Sequence, residues 1–252
     1  MATDRQKYDI TFEKFRNICH NGTLENVKDF FLKDKKYFTA DYYGNAVANR
    51  VYYHVCCRKG YFEICKFLLS QNVINQRNIN LGFISLCEEG HLNIIKLLLE
   101  NEKYREELII RNIDEGLCKA LFYNHVDIVF LFFNNEFFNN KISYSNLLIT
   151  ACCRGRLDLV KYIHESKGVS NKKNYELALR NACLSKYIDV VEYMLEHCKE
   201  EVEDYFYNSG FLEKQIKDYS NKVMYAKKDH EKSYYNYKLE FFKDKLANKN
   251  NH

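Results

Sequence analysis

Apolar residues recur along this chain in six groups that share the same internal spacing. The groups are centred on Gly22, Gly60, Gly90, Asn124, Gly155 and Lys186. Successive centres are separated by 38, 30, 34, 31 and 31 residues. A period in the low thirties is typical of stacked supersecondary units, each of which packs on its neighbours. The pattern therefore predicts a repeat protein rather than one globular core.

The columns of this repeat predict two amphipathic helices in each unit. Seven residues before the centre stand Phe15, Tyr53, Phe83, Leu117, Leu148 and Leu179, and three before it stand Cys19, Cys57, Cys87, Leu121, Cys152 and Cys183. A spacing of four residues places both columns on one helical face. Apolar residues two, five and eight positions after the centre form the stripe of a second helix, and the last of these columns is Phe30, Leu68, Leu98, Phe132, Ile163 and Met194. Each unit is expected to be helix, tight turn, helix.

The residues at the turns and helix starts agree with this interpretation. Glycine after a helix suits a left-handed C-cap, and Asn124 is the next most tolerant residue there. Lys186 departs from that preference. Ten residues before the centre, Asn80, Asp114 and Ser145 are predicted to cap the start of the first helix with their side-chain oxygens.

The consensus of the units, in which small residues precede x-x-Gly-x-apolar-acid-apolar-apolar, resembles the ankyrin repeat over residues 12–198. The resemblance implies an all-α solenoid of stacked units, with hairpin-like fingers expected at 70–80, 101–114, 134–145 and 165–174. The family's Thr-Pro-Leu-His entry to the first helix is missing, and only His54 falls on its His position. The Pro-free, Asn-, Lys- and Tyr-rich composition is similar to that of ankyrin proteins from amoebae and from the giant viruses that infect them.

The predicted organisation has three parts. Residues 1–11 form an N-terminal segment, and 12–199 hold six repeats at about 12–43, 44–79, 80–113, 114–144, 145–174 and 175–199. Residues 200–252 form a Lys- and Tyr-rich C-terminal cap or tail. Residues 211–252 carry ten lysines against six acids, whereas the charges of 1–210 cancel. A helical cap with a polar outer face fits this composition, and a basic arm for RNA or an anionic surface is the alternative.

The sequence offers no candidate for catalysis, a cofactor or a metal. Five of the ten cysteines occupy the column three before the centre, where a small buried residue is needed for packing. No C-x-x-C pair or zinc spacing is present, and no phosphate loop or nucleophile motif occurs. His91 and His125 directly follow a centre and are expected to cap or stabilise the turn. The chain is therefore predicted not to be an enzyme.

The resemblance implies that a protein partner binds a concave face built from finger tips and the two residues before each centre. Seven residues at those positions are the candidate partner-binding set: Arg58, Lys59, Glu88, Glu89, Phe122, Tyr123 and Arg154. Phe122 and Tyr123 have the composition of an interface hot spot if they are exposed, and the alternative is that both rings are buried. The mixed charges argue against a nucleic-acid track, which would carry one sign.

These features favour a non-enzymatic protein that binds another protein, as a host-interaction or scaffold protein. The alternatives are a substrate adaptor for a ubiquitin ligase and binding of RNA or an anionic surface by the basic tail. No run of about 20 apolar residues predicts a membrane span. The polar N-terminus does not resemble a signal peptide, so an intracellular, cytoplasmic location is expected. The chain is also expected to be a monomer.

Overall fold

The computed structural model describes residues 4–39, 47–169, 171–185 and 187–249. Across these residues the chain is helical and contains no strand, which confirms the all-α prediction. The chain divides into two compact units, Met1–Ser143 and Tyr144–His252. No described helix is both long enough and apolar enough to cross a membrane.

The first unit consists of helix pairs joined by short helical connections. Its helices are α1 (Asp4–Asn21), α2 (Leu24–Lys33), α3 (Lys35–Thr39), α4 (Val47–Val51), α5 (Phe62–Ser70), α6 (Gln76–Glu89), α7 (Leu92–Glu100), α8 (Glu102–Glu107), α9 (Ile110–Phe122) and α10 (Val126–Phe133). A π-helical segment, Tyr52–Cys57, continues α4. First helices pack on first helices (α6 on α9) and second helices on second helices (α5 on α7, α7 on α10), so neighbouring pairs share one core.

The columns seven and three residues before the centre, and eight after it, are buried except in the first two pairs. Tyr53 was expected in the core, but the wider π-helical turn shifts the register, so Tyr52 is fully buried and Tyr53 only partly. Phe30 is also only partly buried, whereas its neighbour Phe31 is fully buried because it faces Phe38 of α3 and Phe67 of α5. The π-helical geometry therefore determines the burial of Tyr52, and packing against neighbouring helices determines the burial of Phe31.

The expectation of a hairpin-like finger is wrong for the connection after α7. The connection after α7 forms helix α8, whose N-cap Asn101 accepts a hydrogen bond from the backbone N–H of Tyr104. Tyr104 is fully buried, and its hydroxyl donates to the carbonyl oxygen of Leu69 at 3.0 Å. Burial raises the pKa of Tyr104 to about 12. The Glu- and Lys-rich sequence of this segment favours a helix over a hairpin.

Tyr104→Phe is expected to lower the free energy of unfolding by about 0.5–1.5 kcal/mol, because it removes one buried hydrogen bond while the Leu69 carbonyl keeps the Asn72 N–H as a donor at 3.1 Å. Urea denaturation followed by circular dichroism measures the change. Tyr61→Phe is a suitable control, because Tyr61 is 37% exposed. Equal effects of the two substitutions would contradict the assigned role of the Tyr104 hydroxyl.

Asn80, Asp114 and Ser145 do not cap their own helices, because α6, α9 and the next first helix begin four, four and one residues earlier. Asn80 and Asp114 instead belong to a series that holds the start of the following helix pair. Asn49 Oδ1 accepts from the N–H of Asn75 at 3.1 Å, Asn80 Oδ1 from that of Ile109 at 2.7 Å, and Asp114 Oδ1 from that of Ser143 at 2.7 Å. Each donor residue directly precedes a first helix, so this column fixes where the next pair begins.

The second unit contains two helix pairs followed by further helices. They are α11 (Tyr144–Arg154), α12 (Leu157–Tyr162), α13 (Lys172–Leu184), α14 (Ile188–His197), α15 (Lys199–Glu203), α16 (Phe211–Tyr225) and α17 (Asp229–Lys249). π-Helical segments Ile163–Lys167 and Asp204–Asn208 continue α12 and α15. Helix α11 packs on α13, α12 on α14, and α16 on α17.

Helices α16 and α17 cover the end of α13. The hydroxyl of Tyr219 donates to the Cys183 carbonyl at 3.3 Å, and the buried ammonium of Lys238 donates to the Ser185 carbonyl. Phe242 stacks on Tyr219 with ring centroids 5.7 Å apart. These contacts give partners to carbonyls that the C-terminus of α13 leaves without intrahelical donors.

Candidate binding surface

Four of the six predicted turn centres adopt the left-handed conformation. Gly60, Gly90 and Gly155 have φ of 71°, 79° and 66°, and Asn124 has φ of 71°. Gly22 does not adopt this conformation. Helix α1 ends at Asn21, and the Gly22 N–H donates to the Ile18 carbonyl. Lys186 lies outside the described residues. The prediction of a left-handed residue at the turn is therefore confirmed at Gly60, Gly90, Asn124 and Gly155.

A ring from the next helix pair lies directly on three of these glycines. A β-carbon on Gly60 would lie 2.5 Å from His91 Cε1, and one on Gly90 would lie 2.4 Å from His125 Cε1. On Gly155 it would lie 2.0 Å from Tyr187 Cδ1. His91 and His125 make no side-chain capping bond, so the expected capping role is wrong. Both imidazoles are instead packing groups that join adjacent turns.

The last turns of the first helices place charged residues side by side on the surface of the first unit. Arg58 Nη2 lies 3.8 Å from Glu89 Oε1, and Lys119 Nζ lies 3.9 Å from Glu88 Oε2. Both pairs join neighbouring helix pairs, so the basic and acidic candidates compensate each other. Exposed pairs of this kind contribute about 0–1 kcal/mol to stability. They leave alternating positive and negative charge on this surface.

Phe122 and Tyr123 lie at the exposed end of α9. Each is 46% exposed, and their ring centroids are 5.2 Å apart with an interplanar angle of 73°. The alternative that both rings are buried is therefore wrong. The candidate set chosen from the sequence omits Lys119. Its spacing of three residues from Phe122 places both on one helical face, and this spacing was the signal that could have included it.

The remaining candidates stand at equivalent positions. Lys59 is exposed beside Arg58. Nearby, burial and the charges of Arg50, Arg16 and Arg58 lower the pKa of His54. Arg154 ends α11 and belongs to the second unit. In that unit Leu184 of α13 occupies the repeat position that corresponds to Phe122 and is 57% exposed.

Eight of the ten cysteines are buried in the core, and Cys118 and Cys153 are partly buried. All five in the repeated column are buried, and burial raises the pKa of the Cys57, Cys87 and Cys152 thiols well above the ordinary value. The pKa of Cys19 rises to about 12 for the same reason. Protonated, buried thiols are poor nucleophiles and poor metal ligands. Within residues 4–39, 47–169, 171–185 and 187–249, no group of three or more His, Cys, Asp or Glu side chains could hold a metal ion.

Comparison with protein families finds three copies of the ankyrin repeat at residues 117–204. Curated proteins and solved structures gave no match. The matched segment begins within α9 and ends just after α15, so it includes the α11/α12 and α13/α14 pairs. Ankyrin repeats form protein–protein interaction domains and are generally not enzymes. The helix pairs, the left-handed turns and the family match together identify residues 117–204 of this chain as ankyrin repeats.

Proposed function

We propose that this chain binds another protein through the end-of-helix surface of its first unit, which consists of Arg58, Lys59, Glu88, Glu89, Lys119, Phe122 and Tyr123. The half-exposed pair of aromatic rings is the observation that carries this proposal. Arg154 stands at the equivalent place in the second unit and is proposed as a further contact. In this proposal the chain acts as a monomer inside the cell, and its role is binding rather than catalysis.

The aromatic pair supplies the affinity in this proposal. Phenylalanine and tyrosine bring large contact areas with few rotatable bonds, so little conformational entropy is lost when they are covered. Hot-spot residues of this type typically cost about 2 kcal/mol or more when truncated to alanine. The Tyr123 hydroxyl adds a polar group that can bond to a partner at the edge of the contact.

In this proposal the ion pairs determine how the bound partner is oriented on the surface. Because Arg58 pairs with Glu89 and Lys119 with Glu88, the surface presents alternating rather than uniform charge. Alternating charge selects a partner whose charges match in register and gives little attraction to a polyanion. This pattern favours a protein partner over nucleic acid.

Phe122→Ala/Tyr123→Ala is expected to weaken partner binding by about 30-fold or more, which corresponds to a loss of roughly 2 kcal/mol. A pull-down with the full chain identifies the partner, and calorimetry on the purified pair measures Kd. Leu32→Ala is the matched control, because Leu32 is 66% exposed and lies on α2, outside the end-of-helix surface. Partner binding that tolerates the double variant as well as it tolerates Leu32→Ala would rule out the aromatic hot spot.

A charge swap tests the contribution of orientation separately. Arg58→Glu/Glu89→Arg retains an ion pair but reverses its direction on the surface. The expected result is slower association with unchanged thermal stability, since exposed charges act mainly on the association rate. Association that is as fast as in the wild type would remove the ion pair from the proposed surface.

A further inference from the structure

The turn between α16 and α17 exposes the two most accessible large hydrophobic side chains of the described chain. Met224 is 71% exposed and Tyr225 is 74% exposed. Both belong to the last turn of α16, and α17 begins at Asp229. The side chains of Tyr219 and Phe242 are buried and stack on each other, and this contact joins α16 to α17.

Four exposed lysines flank these two side chains in the sequence. Lys222, Lys227, Lys228 and Lys232 are exposed, and none of them forms an ion pair with an acid within the described part of the unit. Lys222 lies over the Tyr219 ring at 4.6 Å. Elsewhere in α17, Lys238 is buried and Lys243 pairs with Glu240. Four of the ten lysines of residues 211–252 lie within residues 222–232, which form the tip of this helix pair.

The nearby acids do not cancel this charge. Asp229 and Glu231 lie in the first turn of α17, where the helix dipole attracts negative charge. The segment 222–232 has four lysines and two acids, so two positive charges remain in excess. A helix–helix turn that carries both exposed apolar side chains and exposed lysines differs from a nucleic-acid track, which is a positively charged groove.

We propose that the α16–α17 tip, residues 222–232, docks onto an anionic lipid bilayer surface. Met224 and Tyr225 enter the boundary between headgroups and acyl chains, and the four lysines contact the anionic headgroups. Interfacial binding of this kind combines burial of apolar side chains with attraction of lysines to anionic lipid. The lysine stems extend along the apolar side chains while their ammonium groups stay in the headgroup layer. This activity is independent of the end-of-helix surface.

Flotation of the full chain with phosphatidylcholine vesicles, with and without phosphatidylserine, tests the proposal. The chain is expected to float only with the anionic vesicles, and high salt is expected to release it because the lysine contribution is screened. Lys227→Gln/Lys228→Gln and Met224→Ser/Tyr225→Ser should each weaken binding by about tenfold or more. Lys243→Gln and Tyr237→Ser are the matched controls, since Lys243 is paired and Tyr237, 62% exposed, lies in the middle of α17.

A fluorescent reporter locates the contact. The chain contains no tryptophan, so Tyr225→Trp introduces a single probe at the tip. Its emission should shift to shorter wavelength with anionic vesicles and stay constant with inorganic phosphate. Two results would overturn the proposal: no flotation with anionic vesicles, or binding of an RNA homopolymer through the same lysines without vesicle binding. Controls that bind as weakly as the tip variants would also overturn it.

Discussion

Gly155→Ala is expected to lower the free energy of unfolding by about 2–5 kcal/mol, and two separate physical effects contribute. A β-carbon at φ 66° costs about 1–2 kcal/mol of backbone strain. It would also lie 2.0 Å from the Tyr187 ring, and relief of that overlap costs about 1–3 kcal/mol more. Chemical denaturation followed by circular dichroism measures the total.

Gly210→Ala separates the two effects. Gly210, in the same unit, has φ of 75° and ψ of 6°, and no neighbouring atom lies within 4 Å of the position that a β-carbon would occupy there. This substitution should therefore show only the backbone strain of about 1–2 kcal/mol. Gly155→Ala/Tyr187→Ala should recover part of the loss relative to the sum of the single changes. Equal costs at Gly155 and Gly210, or strict additivity of the Gly155/Tyr187 pair, would show that the ring contact has no energetic role.

Asn80→Ala is expected to destabilise the first unit by about 2–4 kcal/mol, because the Asn80 amide makes several buried hydrogen bonds. Its Nδ2 donates to the Gln76 and Glu107 carbonyls, each at 2.8 Å, and its Oδ1 accepts from the Ile109 N–H at 2.7 Å. Only 3% of Asn80 is exposed, so water cannot replace these partners. Denaturation of the full chain gives the change in stability.

Two further variants define the role of this column. Asn146→Ala removes the same side chain from an exposed position of α11 and should change stability by less than about 0.5 kcal/mol. Asp114→Asn should be tolerated, because an amide oxygen can still accept from the Ser143 N–H, and burial already raises the pKa of Asp114. If Asn80→Ala costs no more than Asn146→Ala, the column does not hold the start of the next helix pair.

The helix pairs and their turns could be predicted from the sequence because they depend on local rules. An apolar residue every three to four positions requires a helix, and glycine or asparagine is needed where φ is positive, as at Gly90 and Asn124. The buried cysteine column followed from the same spacing. The choice of Phe122 and Tyr123 as contacts with a partner stays a prediction.

The helix starts could not be predicted, because they depend on residues that are distant in sequence. Asn80 has the composition of an N-cap, but its hydrogen-bond partner is Ile109, which belongs to the next helix pair. His91 and His125 have the composition of capping residues, but each lies on a glycine about 30 residues earlier. Composition alone does not distinguish a polar group that caps its own helix from one that binds a neighbour.

By itself, the sequence determined that this protein is built from repeated helix pairs, since periodicity and turn chemistry act within one pair. The tertiary structure alone decided how neighbouring pairs are joined: an amide or carboxylate that fixes the next helix start, a ring on each of three glycines, and ion pairs between first helices. It also decided which lysines of the C-terminal region stay exposed. These features depend on the distance between side chains from different helix pairs, and that distance is set only when the pairs pack.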